Sequence, residues 1–259
     1  FVKTSNWQPY LPFGAEGVID GAALVFFAFL GFDAIAMAAE EVVEPQKTVP
    51  RGMIGAIAIS TVLYIIVTAI LTGLVPYTKL GVNDPVAFAM RFLHLDLVGS
   101  IISIGAILTL LTVTISMMYS LARLVYAISK DGLLPISLNK VDAKTHTPVR
   151  ATLVSGAVVF VFATMFPLQI LAELTNIVAL GYLIMMALGI IRLRQVAGDP
   201  KPGEFKVPFV PIFPLITVGF CIFLMVQLSL TTWIVFFISL VIGLGIYFGY
   251  GYKHSTLNK

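Results

Sequence analysis

Gly31, Phe32 and Asp33 interrupt an apolar stretch, Val25–Glu41, that is otherwise suited to cross a bilayer. An unsatisfied backbone amide is expensive in hydrocarbon, so a glycine beside an aspartate is expected there only where the backbone faces protein, water or a ligand. Ionisable residues inside a span mark functional sites, and interrupted helices near the midplane are where secondary transporters bind substrate. The alternative is a glycine kink packed against a neighbouring helix, with Asp33 satisfied by a buried partner.

The backbone next to this interruption is the first candidate binding group. If Phe29–Asp33 unwinds, the carbonyl groups of Phe27, Ala28 and Leu30 lose their i→i+4 partners. These carbonyls lie at the partially negative end of the outer half-helix, so we expect them to accept hydrogen bonds from a substrate ammonium group. Gly31, inside the break, completes this set of expected substrate-binding residues.

Polar side chains follow one face of a second apolar stretch. Thr109, Thr112 and Ser116 recur every three or four residues, which places them on one side of a helix. Such a face lines a water-filled path, or it makes ordinary helix–helix hydrogen bonds worth about 0.6 kcal/mol each. The sequence leaves both explanations open. Met117 lies near this face, and a lone methionine in a span usually fills a gap between helices.

Composition predicts an integral membrane protein made of helices. Mean hydropathy is +1.00, and 11% of the residues are charged, against about 25% in soluble domains. Apolar stretches of about 20 residues predict seven spans: Val18–Val43 (broken), Ile54–Val75, Val98–Ile128, Ala151–Phe166, Leu171–Ile191, Ile212–Ser229 and Trp233–Tyr252. Glu173, at the start of the fifth of these spans, is expected at the membrane interface.

The basic residues are distributed unevenly between the predicted loops. Thirteen of the sixteen Lys and Arg residues fall on one side of the spans, so the positive-inside rule places that side and the C-terminus in the cytoplasm. The net charge of +3 reflects this asymmetry, and membrane lipid rather than nucleic acid is the expected partner. Seven spans with an outside N-terminus and no signal peptide predict a fragment, whose partner would be the missing N-terminal half.

Nothing in the spans has the spacing of an enzyme site. His94, His146 and His254 fall in loops or the tail, and no HExxH, paired aspartates or Ser/His arrangement lies within a span. No glycine-rich phosphate loop is present either. We therefore expect no catalytic residue, no metal site and no cofactor.

Four segments carry a family resemblance. The sequences are FFAFLGFDAIAMAAEEVVEPQKTVPRG, RLVYAISKDGLLP, THTPVRAT and FKVPFVPIFPLI. In this order they resemble the amino acid–polyamine–organocation superfamily, in particular the cationic amino acid transporter-like branch of bacterial amino acid permeases. The resemblance implies an all-α, LeuT-like fold of twelve spans, with two inverted five-span repeats and a final pair. Residues 1–17 would then be an extracellular lead-in, 18–193 the second repeat, and 194–259 a cytoplasmic connector, the last two spans and a cytoplasmic tail.

The same resemblance implies roles for individual residues. Phe27 corresponds to an aromatic gate over the substrate, and the carbonyls of Phe27, Ala28 and Leu30 would hold its α-amino group. Asp33 occupies the position of a glutamate implicated in substrate release in related exchangers. Met117 matches a side-chain pocket position that is smaller in transporters of cationic substrates. The implied function is proton-coupled symport of small neutral amino acids across a bacterial cytoplasmic membrane; the alternative is a non-transporting scaffold or sensor that kept the fold.

Overall fold

The secondary structure is helical throughout the described residues. The computed structural model describes residues 2–31, 42–142, 147–200 and 205–255, and it contains no strand within them. Because a backbone in hydrocarbon must satisfy its own hydrogen bonds, helices are the expected solution for such an apolar chain. The prediction of an all-α fold is confirmed. The α-helices are α1 (Gly14–Val25), α2 (Pro45–Leu74), α3 (Pro85–Phe92), α4 (Asp96–Lys130), α5 (Val149–Met165), α6 (Leu168–Ala197), α7 (Ile212–Val226) and α8 (Leu230–Ile246).

Four helical stretches of the described chain are long and apolar enough to cross a membrane. They are α2, α4, α6 and the stretch Leu230–His254, in which a π-helical turn follows α8. The apolar helices α5 and α7, with 17 and 15 residues, are shorter than the about 20 residues of a typical span. The first of the seven predicted spans extends beyond the described residues. Length and hydropathy therefore support four of the seven predicted spans in full.

The second predicted span begins earlier than expected. We predicted its start at Ile54, but α2 begins at Pro45 and includes Pro50. Proline fits the first helical position because its missing N–H has no partner there, whereas Pro50 removes one hydrogen bond from the second turn. The short helix α3 (Pro85–Phe92) follows α2.

The chain forms two compact units. The first consists of Phe1–Leu95 and Ala172–Ser229. Its lead-in segment is tied to the end of α2, because Asn6 Nδ2 donates to Gly73 O over 2.9 Å and Trp7 Nε1 donates to Ala69 O over 3.2 Å. Within the same unit α1 contacts α7. The interruption after α1 belongs to this unit.

The second unit consists of Asp96–Leu171 and Leu230–Lys259. Helix α4 packs along α5, and Ser129 Oγ donates to Pro135 O over 2.7 Å in the turn after α4. Gly132 has a φ of +81°, and a Cβ there would lie 2.1 Å from the carbonyl oxygen of His254. Only glycine fits where the chain end meets this turn. The division into 1–17, 18–193 and 194–259, which rests on the repeat scheme, stays a prediction.

The segment after α6 carries a small charge cluster. Lys206 Nζ lies 2.6 Å from a carboxylate oxygen of Asp199, and Arg194 pairs with the other oxygen. The hydrogen bonds from Lys206 and then Arg194 lower the pKa of Asp199 below its usual value. The cluster joins the end of α6 to the described part of the segment that leads to α7.

Candidate functional site

The chain after α1 leaves the α-helical conformation in two steps. Residues Phe26–Phe29 form a 3-10 turn, and Leu30 then adopts an extended conformation with φ −65° and ψ 142°. Gly31 has a φ of +117°, which L-residues with side chains rarely adopt. The α-helix therefore ends at Val25, before the Phe29 at which unwinding was expected. Asp33 and the expected inner half-helix lie outside the described residues, so the arrangement of two half-helices stays a prediction.

Two of the expected amine-binding carbonyls already accept hydrogen bonds. Phe27 O accepts from the backbone N–H of Leu30 over 3.2 Å, and Ala28 O accepts from the hydroxyl of Tyr64 over 2.9 Å. A carbonyl oxygen has two lone pairs, so each retains one further site for a donor. The predicted contact with a substrate ammonium remains geometrically open and stays a prediction.

A cavity of about 310 Å³ lies beside this segment. Residues 28–31 form one wall, and Ala56, Ile57, Ser60 and Tyr64 of α2 form the other. Ser60 and Tyr64, four residues apart on α2, bring two hydroxyl groups to the same wall. The volume is at the lower end of the range for small-molecule sites, roughly 300–1,000 Å³. The cavity combines backbone carbonyls, hydroxyl groups and apolar surface, and this combination suits a small molecule with one polar end.

The predicted aromatic gate and the aromatic wall of the cavity are different residues. Phe27 is 44% exposed and is not among the residues that line the cavity, whereas Phe29 lines it. The rings of Phe29 and Tyr64 meet edge to face, with their centroids 5.4 Å apart. The gating role of Phe27 stays a prediction.

Asn176 holds the last turn of α1 from another helix. Its side chain lies on α6 and is fully buried, and its Nδ2 donates to Ala23 O over 2.9 Å and to Leu24 O over 3.2 Å. Its Oδ1 has no hydrogen-bond partner among the described residues. The sequence analysis missed Asn176. An asparagine inside an otherwise apolar predicted span indicates a hydrogen bond to another helix or a functional site.

Comparison of the sequence with known proteins assigns the chain to a family. The profile of the family described as "Amino acid permease" matches residues 3–256. The chain belongs to the amino acid permease family. The family is one of transporters rather than enzymes, and its LeuT-like fold agrees with the resemblance of the sequence motifs.

Several curated proteins match this permease chain over its full length or nearly so. The methylthioribose transporter of Bacillus subtilis (strain 168) is 46% identical over 259 residues, which are 100% of this chain and 56% of that protein. The branched-chain amino acid permease BcaP of the same organism is 43% identical over 260 residues, again 100% of this chain and 56% of that protein. BcaP of Lactococcus lactis is 32% identical, over 98% of this chain and 57% of that protein. The chain thus spans little more than half the length of these relatives.

The predicted polar face of the permease lies on α4, in the second unit. The hydroxyls of Thr109, Thr112 and Ser116 all donate to carbonyl groups one turn earlier in α4, over 2.9–3.0 Å. Each hydroxyl therefore satisfies its donor within the helix and keeps acceptor capacity for other groups. Met117 is 64% exposed on the same helix. The roles of these four residues stay predictions.

Glu173 is buried on α6. We predicted it at the membrane interface, and in the structure α6 begins at Leu168 and the side chain of Glu173 is only 5% exposed. Its carboxylate accepts hydrogen bonds from the backbone N–H of Ser229, over 3.0 Å, and from the Ser229 hydroxyl. The side chain is buried because Ser229 supplies donors that the local sequence does not reveal, and the position of Glu173 at the membrane interface stays a prediction.

The described residues contain no group of three His, Cys, Asp or Glu side chains that could hold a metal ion. The candidate site brings together backbone carbonyls, hydroxyls and aromatic rings, and residues 28–31 form one of its walls. Sequence reasoning predicted that this segment binds substrate, and that role stays a prediction. Sequence reasoning missed Ser60 and Tyr64, whose spacing of four within a predicted span was the available signal.

Proposed function

We propose that the full-length permease carrying this chain transports neutral amino acids across the cytoplasmic membrane by alternating access. The observation that carries the proposal is the interruption at Phe26–Gly31, with its carbonyl groups beside a cavity of about 310 Å³. Non-helical backbone is tolerated at membrane depth where it lines a cavity or is buried in protein. Broken helices of this kind bind substrate in secondary transporters.

The proposed roles of individual residues, except those on the polar face of α4, are those that the family resemblance implies. The carbonyls of Phe27, Ala28 and Leu30 accept hydrogen bonds from the α-ammonium group, and Phe27 closes over the bound molecule. Asp33 takes part in substrate release. Met117 restricts the side-chain pocket, because a bulky apolar thioether disfavours a charged substrate side chain. The face formed by Thr109, Thr112 and Ser116 lines the polar side of the transport path.

The names of the three relatives described above support a neutral substrate, whereas other relatives, 26–32% identical, are named as cationic amino acid transporters. Two of the relatives described above are named as branched-chain amino acid permeases. A third, 46% identical to this chain, is named as a methylthioribose transporter. Methylthioribose is an uncharged sugar thioether without an ammonium group, so it would use the carbonyls at the break differently. Methylthioribose is the second candidate substrate. An amino acid would bind the carbonyls through its ammonium group, whereas methylthioribose has no such group.

The deciding experiment is uptake by the full-length permease in proteoliposomes. Radiolabelled alanine, leucine, arginine and methylthioribose are each offered with and without an inward proton gradient. We expect saturable uptake of alanine and leucine, stimulated by the gradient, and little uptake of arginine. If none of the amino acids is taken up but radiolabelled methylthioribose is, the proposal transfers to the sugar thioether. Binding without uptake of any of these compounds would support a scaffold or sensor.

The proposed orientation places residues 1–17 outside the cell and the C-terminus in the cytoplasm. It is supported by the thirteen-to-three distribution of basic residues between the two sides. The partners of this chain would be membrane lipid, the amino acid substrate, and an N-terminal half corresponding to the part of the relatives that the chain does not match. Labelling of single cysteines introduced in the lead-in and in the tail, in intact cells, tests the orientation.

A further inference from the structure

The hydroxyl of Tyr64 is the only side-chain donor that the described residues direct to a carbonyl of the 3-10 turn. Tyr64 lies on α2, 36 positions after Ala28, and its hydroxyl donates to Ala28 O over 2.9 Å. Ala28 is one of the three residues whose carbonyls we propose as ligands of the substrate ammonium group. A donor from a separate helix therefore fixes the orientation of a peptide group that local sequence leaves free.

The ring of Tyr64 is held as well as its hydroxyl. It meets Phe29 edge to face, with a centroid separation of 5.4 Å and an interplanar angle of 78°. This geometry is favourable for aromatic pairs. Two neighbouring contacts, to Ala28 and to Phe29, thus attach consecutive residues of the turn to the same side chain of α2.

Tyr64 also stands where two cavities meet. The cavity beside Gly31 and a larger one of about 750 Å³ have only Ala28, Phe29 and Tyr64 in common. The larger cavity continues along α2 towards Thr72 and reaches Trp7 of the lead-in segment. Movement of the Tyr64 side chain would therefore alter the Ala28 carbonyl and the wall of both cavities together.

We propose that Tyr64 is a positioning residue for substrate binding, which orients the Ala28 carbonyl towards the ammonium group of an amino acid. This inference rests on the proposed function. A hydrogen bond accepted by one lone pair of the carbonyl leaves the other available. Preorientation lowers the entropy cost of binding because the peptide group no longer rotates freely when the substrate is absent. The hydroxyl acts on the substrate through this carbonyl, to which it donates.

The test compares Tyr64→Phe with the wild-type full-length permease in proteoliposomes. The phenylalanine keeps the ring and its contact with Phe29 and removes only the hydroxyl. We expect the KM for leucine to rise about fivefold, as for the loss of one hydrogen bond, while the maximal uptake rate changes little and the apparent Tm falls by at most about 2 °C. Tyr182→Phe is the matched control, because the Tyr182 hydroxyl has no hydrogen bond within the described part of the chain; its KM should stay within twofold of the wild-type value.

Competition with two analogues tests whether Tyr64→Phe weakens binding of the ammonium group alone or binding of every ligand. Leucinol keeps the ammonium group and lacks the carboxylate, and its inhibition constant should rise in Tyr64→Phe by the same factor as the KM for leucine. The 2-hydroxy acid analogue of leucine lacks the ammonium group, and its inhibition constant should not rise. The proposal is overturned if the KM is unchanged, if leucinol is unaffected, if both analogues weaken equally, or if Tyr64→Phe no longer gives a monodisperse folded protein. Absence of amino acid binding and uptake in the wild type would instead refute the proposed function.

Discussion

Replacement of Asn176 by leucine measures how strongly α6 holds the end of α1. Leucine has nearly the shape of asparagine, but it cannot donate to Ala23 O and Leu24 O, the two carbonyls that Nδ2 contacts. Hydrogen bonds between membrane helices average about 0.6 kcal/mol each and those in soluble proteins about 1 kcal/mol, so two bonds are worth roughly 1–2 kcal/mol. The same change removes the buried Oδ1, which lacks a partner among the described residues. The net loss should therefore lie near the lower end, about 1 kcal/mol.

The assay is the apparent Tm of the full-length permease in detergent micelles. About 1 kcal/mol lowers the Tm of a protein of roughly 150–250 residues by about 2–4 °C, and the full-length relatives are nearly twice as long as this chain, so we expect a decrease of roughly 1–2 °C. Asn176→Asp should be worse, because it keeps the shape and places an acceptor against two carbonyl acceptors. Asn83→Asp makes the same chemical change at an exposed loop position and should leave the Tm almost unchanged.

Two results would refute this reasoning. A Tm of Asn176→Leu equal to or above the wild-type value would mean that the two hydrogen bonds contribute nothing net. A Tm of Asn176→Asp equal to that of Asn176→Leu would mean that the amide nitrogen does not face the carbonyls of α1.

Three further predictions concern the break, the pocket and the segment after α6. Gly31→Ala should cost about 1–3 kcal/mol of backbone strain because φ is +117°. No atom lies within 4 Å of the added Cβ, so the cost is backbone strain rather than a clash. We expect a lower yield of folded permease and weaker leucine binding, whereas Gly55→Ala, in α2, should be tolerated. Met117→Ser should raise uptake of arginine relative to alanine, since about 0.8 kcal/mol accompanies each buried methylene; unchanged selectivity among alanine, leucine and arginine would remove Met117 from the pocket. Lys206 lowers the pKa of Asp199, so their ion pair should be fully present above the ordinary aspartate pKa and should weaken as pH falls through the lowered pKa. Lys206→Gln should therefore raise the pKa of Asp199 in a ¹³C NMR titration. An unchanged pKa would contradict the pairing.

The sequence by itself determined the helical class and the glycine at which the backbone turns, although the α-helix ends earlier than expected, at Val25. Long apolar stretches leave the backbone no alternative to helix in hydrocarbon, and Gly31 adopts a φ that its neighbours in the chain could not adopt without strain. Both properties depend on residues close together in the chain. The start of α2 at Pro45 could also have been predicted locally, because proline is favoured at the first position of a helix.

Only the tertiary structure decided which side chains hold the interrupted segment. Tyr64 reaches Ala28 across 36 positions, and Asn176 reaches Ala23 across 153. The burial of Glu173 likewise depends on Ser229, 56 positions away. Hydropathy identifies the helices that pack but not the faces that meet, and hydrogen bonds between distant residues follow from those faces. The polarity of Tyr64 and Asn176 was visible in the sequence, whereas their partners were fixed by packing.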